Sequence, residues 1–202
     1  DADRTTWATM SSDPDPMNPA EALAGGRLTV DLGALADNWR IIAGRVGART
    51  RTAAVVKGDG YGIGLAAAGD ALAKAGCATF FVATAAEGLQ LRRARPAATI
   101  YVLGGFISAA AAAFRDSNLA PVLNSPADID EWIAARRDGV VSGAALHVDT
   151  GMNRLGLTVA EALALAGERD RVAALGLTLV MSHLACADTP DHQLNAHQLA
   201  AF

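Results

Sequence analysis

The sequence predicts an α/β fold of the (β/α)8 TIM-barrel kind, here an incomplete run of about six β-α units. Three observations carry that prediction. Short apolar segments alternate with helix-period segments from about residue 27 onward. The short segments lack clean polar alternation, as expected of parallel strands covered by helices. Lys57, Arg154 and His183 lie at or just beyond the C-terminal ends of the first, fifth and sixth of these segments. An open doubly wound sheet accommodates the first two observations equally well. The third favours the barrel, whose strand C-termini share one rim and let the three side chains meet.

The elements follow in order. In "TVDLGALADNWRIIAGRV", Leu35, Trp39, Ile42 and Val46 recur at helical spacing behind Asp31, a good N-cap. Residues 53–56 read as a strand, and 65–74 as a helix stopped by Gly76. "TFFVA" is a strand, and "AAEGLQLRRAR" a helix that ends before Pro96. "TIYVL" is a strand and 108–115 a helix. "LAPVL" is a strand despite Pro121, which counts against a central position. "SPADIDEWIAARRDG" is a helix with Ser125 as N-cap, Pro126 in its first turn and Gly139 beyond its end. "ALHV" is a strand, "TVAEALALAGERD" one helix capped by Thr158, "LTLVMSH" a strand, and "TPDHQLNAHQLAAF" opens a further helix.

Composition narrows the function classes. The chain has 202 residues, 51% of them apolar, and a net charge of −4, so no basic surface argues for nucleic acid. Cys77 and Cys186 form no disulfide framework, and a reducing cytoplasm is the expected compartment. Residues 1–26 hold no signal-peptide core and read as a flexible extension, leaving 27–202 as the barrel portion. Residues 97–114 carry no charge over a membrane-spanning length, but Gly104-Gly105 splits them into a β-branched half and an alanine-rich half. A buried strand, a turn and a buried helix account for them without a membrane. Six units do not close a barrel, and "LAAF" ends without a cap, so the chain reads as the N-terminal portion of a longer protein.

Three strand ends carry chemistry. Lys57 closes "AVV" and opens "KGDGYGIG". A lysine here can act as a Schiff-base nucleophile, or it can simply reach for water. The glycines match neither a dinucleotide fingerprint nor a P-loop, since Ile63 stands where a third glycine belongs and the lysine precedes the loop. Small residues still permit close approach to a ligand, and Tyr61 offers a hydroxyl. In "HVDTGMNRLG", Arg154 either pairs with Asp149 to fix the loop or faces a carboxylate, phosphate or phenolate oxygen. In "MSHLACAD", His183 ends a strand, and Cys186, Asp188, His192 and His197 have poor spacing for a metal site.

"TVDLGALADNWR", "AVVKGDGYGIG", "HVDTGMNRLG" and "SHLACAD", in this order, resemble the alanine racemases, enzymes that use pyridoxal 5'-phosphate on a barrel. The resemblance runs from about Arg27 to Phe202, and the Asp-Thr-Gly-Met-x-Arg-Leu-Gly stretch is its most specific part. It implies interconversion of L- and D-alanine for peptidoglycan precursors in a cytoplasmic homodimer. Lys57 would hold the cofactor covalently and then move a proton on one face of the substrate. Tyr61 would contact the phosphate, His183 would lie against the pyridine ring, and Arg154 would approach the phenolic oxygen and orient the substrate carboxylate. A tyrosine from a C-terminal β-domain of the other subunit would serve the opposite face, so this chain alone is expected to be inactive. Two departures stand out. Many relatives have a carbamylated lysine where this chain has His147, so Arg154 must be held another way, and many have histidine at Ile63, which is free here to pack. The alternatives are a broader amino-acid racemase and a non-catalytic pyridoxal-phosphate carrier. The carrier would share the lysine strand but not the "DTGMNRLG" loop, which equally disfavours a related decarboxylase.

Overall fold

The computed structural model describes residue 25 and residues 28–95, 97–140 and 142–202. The extension expected over residues 1–26 lies outside the described residues, Gly25 apart, as does the helix stop expected at Pro96. The chain divides after Val30, and Asp31–Phe202 forms one compact unit. Its elements are α1 (Leu32–Val46), β1 (Ala54–Val55), α2 (Leu65–Ala75), β2 (Thr79–Val82), α3 (Ala85–Ala94) and β3 (Thr99–Val102). A 3-10 turn, Ser108–Ala110, leads into α4 (Ala111–Asp116), then β4 (Ala120–Leu123), α5 (Pro126–Arg137) and β5 (Ala144–Asp149). The series ends with β6 (Leu157–Thr158), α6 (Val159–Ala166), α7 (Arg169–Leu175), β7 (Leu177–Met181) and α8 (Gln193–Ala201).

The strands pair in parallel and in chain order from β1 to β5, and β7 lies beside β5. A doubly wound sheet reverses its strand order at a switch point; this sheet does not. It is also curled. The Tyr101 hydroxyl on β3 is 3.0 Å from Thr178 Oγ1 on β7. In a flat sheet those two strands, three positions apart, would stand about 14 Å apart, beyond the reach of one side chain. The alternation of side chains along each strand gives two cores. Phe80, Val82, Ile100 and Val102 pack outward against Leu65, Leu91 and Trp132 of the helices. Tyr101, Ala120, Val122 and Ala145 pack inward with Phe81, Leu103, Leu179 and Met181. Phe81 and Tyr101 stack there with ring centroids 5.0 Å apart. The stretch 97–114 is thus a strand, a turn and a short helix, and among the described residues no helix is long and apolar enough to cross a membrane.

The caps read from the sequence are formed. Asp31 accepts from Ala34 N at 3.0 Å, and Ser125 from Asp128 N at 3.1 Å. Thr158 and Glu161 close a reciprocal capping box. Pro121 sits inside β4, opposite Val102 of β3 and one residue before pairing to β5 begins at Val122.

Two expectations need correction. The helix expected over residues 158–170 is two helices, broken at Glu168, whose φ of −97° and ψ of 73° leave helical geometry while Gly167 keeps it. The second helix turns its C-terminal carbonyls to α5, where Trp132 Nε1 donates to Leu175 O at 3.0 Å and Arg136 Nε to Ala174 O at 2.9 Å. Those bonds satisfy carbonyls that a helix end leaves open. Strand β6, two residues long, was not expected at all. It pairs with the last two residues of β5.

A double-mutant cycle tests the curl. Tyr101→Phe and Thr178→Val are each expected to lower stability in urea by about 1 kcal/mol, with coupling of about 0.5–1.5 kcal/mol. Coupling near zero would place β3 and β7 apart.

Candidate active site at the strand C-termini

Lys57 follows β1 with only Val56 between. The chain then reverses hand: Gly58, Asp59, Gly60 and Tyr61 have φ of 62°, 53°, 64° and 56°. They form one left-handed turn, closed by Gly60 N to Val56 O at 2.9 Å and Gly62 N to Gly58 O at 3.0 Å. Left-handed backbone costs about 1–2 kcal/mol per L-residue but little for glycine. Asp59 offsets its share, because its Oδ1 accepts Leu65 N at 2.7 Å and so caps α2, whose own N-cap is the bare Gly64. The first two amides of the turn go to Glu87 of α3. Its Oε1 accepts Gly58 N at 2.7 Å and Asp59 N at 3.2 Å, and its Oε2 accepts Ala83 N at 2.7 Å. Lys57 itself is half-buried and makes no hydrogen bond or ion pair among the described residues.

The loop after β5 is built on Asp149. Its Oδ1 accepts Gly151 N at 2.9 Å, Met152 N at 2.8 Å and Asn153 N at 3.1 Å. Burial works against the Asp149 charge, but these three amides outweigh it and hold the carboxyl below the usual aspartate range. Gly156 then brings the chain back against its own strand with φ 110°, where a Cβ would stand 2.9 Å from Asp149 N and 3.1 Å from the His147 ring. Only glycine fits that return. The alternative of an Asp149–Arg154 pair does not hold: Asp149 bonds backbone, and Arg154 is exposed without a bond or ion pair among the described residues.

His183 lies two residues past β7. Gln198, buried in α8, fixes its backbone: Nε2 donates to His183 O at 2.9 Å and to Thr150 Oγ1 at 3.3 Å, and Oε1 accepts Ala185 N at 2.9 Å. Burial lowers the His183 pKa, and Arg154 and Lys57 lower it further. Both cations therefore act on this imidazole.

His147 faces inward on β5 and is only 6% exposed. Asn124 settles its tautomer. The Asn124 amide donates to Leu103 O at 3.0 Å and Val122 O at 2.8 Å, so its Oδ1 is left to accept from His147 Nδ1 at 2.9 Å. His147 is thus the Nδ1–H form, with a lone pair on a buried Nε2 that has no partner among the described residues.

One cleft of about 470 Å3 collects these groups: Lys57, Tyr61, His147, Arg154 and His183, over an apolar floor that includes Phe81, Leu103 and Met181. All four residues singled out from the sequence meet in it. A larger cleft, about 800 Å3, opens at the opposite, N-terminal ends of the strands around Thr79, Thr99 and Ser142. Ile63 packs against the main core. His192 does structural work, its Nδ1 accepting Leu194 N at 3.2 Å as the cap of α8. Glu87, Asn124 and Gln198 were not anticipated. Thr84-x-x-Glu87 is a capping-box spacing and was readable; nothing local marked the other two.

A one-sided, curled parallel sheet with a free lysine, an arginine and two histidines at its strand C-termini defines a (β/α) barrel with a ligand site at its mouth. Comparison narrows the class. Residues 30–202 match the family model "Alanine racemase, N-terminal domain", and the chain belongs to that family. It is 49% identical over 189 residues to the biosynthetic alanine racemase of Agrobacterium fabrum, covering 94% of this chain and 48% of that protein. It is 46% identical over 181 residues to the catabolic alanine racemase of the same organism, covering 89% of this chain and 46% of that one. Among solved structures it resembles the Bartonella henselae alanine racemase with covalently bound pyridoxal phosphate, at 36% identity and TM-score 0.79, covering 86% of this chain and 51% of that one. The chain spans about half the length of the curated relatives it matches.

The buried imidazole gives a pH test. Burial pushes His147 below the usual value of 6.5; Asp149 opposes this, and His183 and Arg154 reinforce it. The unfolded chain therefore binds the proton more readily, and the stability present above pH 6.5 is lost as pH falls below it. From about pH 7.5 to about pH 5.5 the urea midpoint is expected to fall, and to fall less in His147→Asn. Equal slopes would contradict a neutral, buried His147.

Proposed function

We propose that this chain is the cofactor-holding part of a pyridoxal-phosphate-dependent alanine racemase, interconverting L- and D-alanine. The observation that carries the reading is Lys57. It is a half-buried amine without a partner among the described residues, at the end of the first strand, in one cleft with Arg154 and His183. The residues present fit the cofactor. The cleft volume lies within the range of ligand sites, its floor is apolar under a planar ring, and its cations suit a phosphate, a phenolate and a carboxylate. Bound there, pyridoxal phosphate supplies an electron sink for the charge left at Cα when its proton is removed.

The roles divide by chemistry. Lys57 Nζ is the covalent anchor and, once released, the base or acid on one face of the substrate. Tyr61, two-thirds exposed at 66%, presents its hydroxyl to the phosphate. His183 packs its ring against the pyridine. Arg154 faces the phenolic oxygen and the substrate carboxylate. Its guanidinium has no internal acceptor to leave among the described residues, so binding these groups breaks no ion pair. His147 lines the same cleft as a neutral imidazole: with Nδ1–H committed to Asn124 its Nε2 can only accept, and among the described residues it has no partner. Inversion needs an acid or base on each face of Cα. The second is assigned to the other subunit of a cytoplasmic homodimer, whose product supplies D-alanine for peptidoglycan.

The test is made on the protein carrying this chain at its relatives' full length. With L-alanine and added cofactor it is expected to form D-alanine, and Lys57→Ala to lower kcat by about a thousandfold or more. Arg154→Ala is expected to cost about a hundredfold in kcat/KM. A Lys57→Ala enzyme with undiminished turnover would overturn the assignment.

A further inference from the structure

We propose that Glu87 is a positioning residue for Lys57, acting through the backbone of the left-handed turn. This rests on the reading of Lys57 as the cofactor anchor. Two successive left-handed residues point their amides the same way, a concavity that binds anions. Here the anion is the protein's own. Glu87 Oε1 takes the Gly58 and Asp59 amides, and its Oε2 takes the amide of Ala83 at the end of β2. The bond to Gly58 N fixes the peptide plane that leaves Lys57, and so the direction in which the lysine departs from β1. The bond to Ala83 ties that plane to the neighbouring strand instead of leaving it on a free loop. A capping-box glutamate normally bonds the amide of its own N-cap. Glu87 keeps the backbone half of that box, with its N donating to Thr84 Oγ1 at 3.3 Å, but sends its carboxylate one residue upstream and across to the turn. Helix α3 therefore has a cap without this carboxylate, and the carboxylate serves the turn.

The test is made on the protein carrying this chain at its relatives' full length, and compares it with Glu87→Ala, Glu87→Gln and Thr84→Ala. Two readouts are taken: amide hydrogen exchange at Gly58, Asp59 and Ala83, and the visible band that forms when pyridoxal phosphate is added. Glu87→Ala is expected to speed exchange at the three amides at least tenfold while Val122 and Leu146 stay protected. It is also expected to weaken apparent cofactor affinity at least tenfold. Glu87→Gln, with one acceptor oxygen left, should fall between and supplies the answer if Glu87→Ala does not fold. Thr84→Ala removes the cap alone and should leave both readouts near wild type. Wild-type cofactor uptake in folded Glu87→Ala, or equal losses in Thr84→Ala, would overturn the proposal. If the wild-type full-length protein takes up no cofactor on Lys57, the reading of the anchor fails instead, and exchange at the three amides then decides Glu87.

Discussion

Where a parallel ladder ends, backbone amides and carbonyls lose their partners, and a rim built of strand ends must find others. Three side chains supply them here. Glu87 joins the end of β1 to the end of β2 through Gly58, Asp59 and Ala83. Asn124 takes the carbonyls of Leu103 and Val122, beyond β3 and in β4, and holds His147 of β5. Gln198 joins Thr150 beyond β5 to His183 and Ala185 beyond β7. Backbone closes the remaining gap between β2 and β3, with Leu103 N donating to Val82 O at 2.8 Å and Gly104 N to Ala83 O at 2.9 Å, so the rim is held as one arc. Lys57, Arg154 and His183 then need no bonds of their own to be in place, and they remain available to a ligand.

The same division governs charge. Asp149 is the acid nearest Arg154 in sequence, yet its oxygen is committed to three amides of the loop. Glu87 is likewise committed to backbone. His147 is kept neutral by burial. The cleft is thus lined by the cations Lys57 and Arg154, two histidines and one hydroxyl, that of Tyr61, with no carboxylate among its lining residues. An anionic ligand entering it displaces no internal partner, which is the condition for charge-assisted bonds to add to affinity rather than be exchanged.

Much of this was legible in the sequence, for identifiable reasons. Alternation of short apolar runs with capped helices exposed the β-α order, and Asp31, Ser125 and Thr158 marked helix starts because capping is a local interaction. Lys57, Arg154 and His183 could be grouped because a strand end is readable and a barrel gathers strand ends. What could not be read is non-local. The break at Glu168 opens a second helix whose far end is held by Trp132 and Arg136 of another helix. Strand β6 depends on a return that only Gly156 permits. Asn124 and Gln198 act across 23 and 48 residues of sequence, and no spacing rule reaches that far. The glycines after Lys57 fell between the two. Their flexibility was evident, but the left-handed turn they serve, and the carboxylate that closes it, were not.

The central claim is that Lys57 is the amine to which the cofactor attaches, and the chain offers a clean discrimination because its sequence holds only one other lysine, Lys74. Lys74 is exposed on α2 and paired with Asp70 at 2.7 Å. Borohydride reduction after incubation with pyridoxal phosphate, followed by peptide mass spectrometry, locates the attachment. Modification confined to the Lys57 peptide is the predicted result. Modification of Lys74 to an equal or greater extent would contradict it.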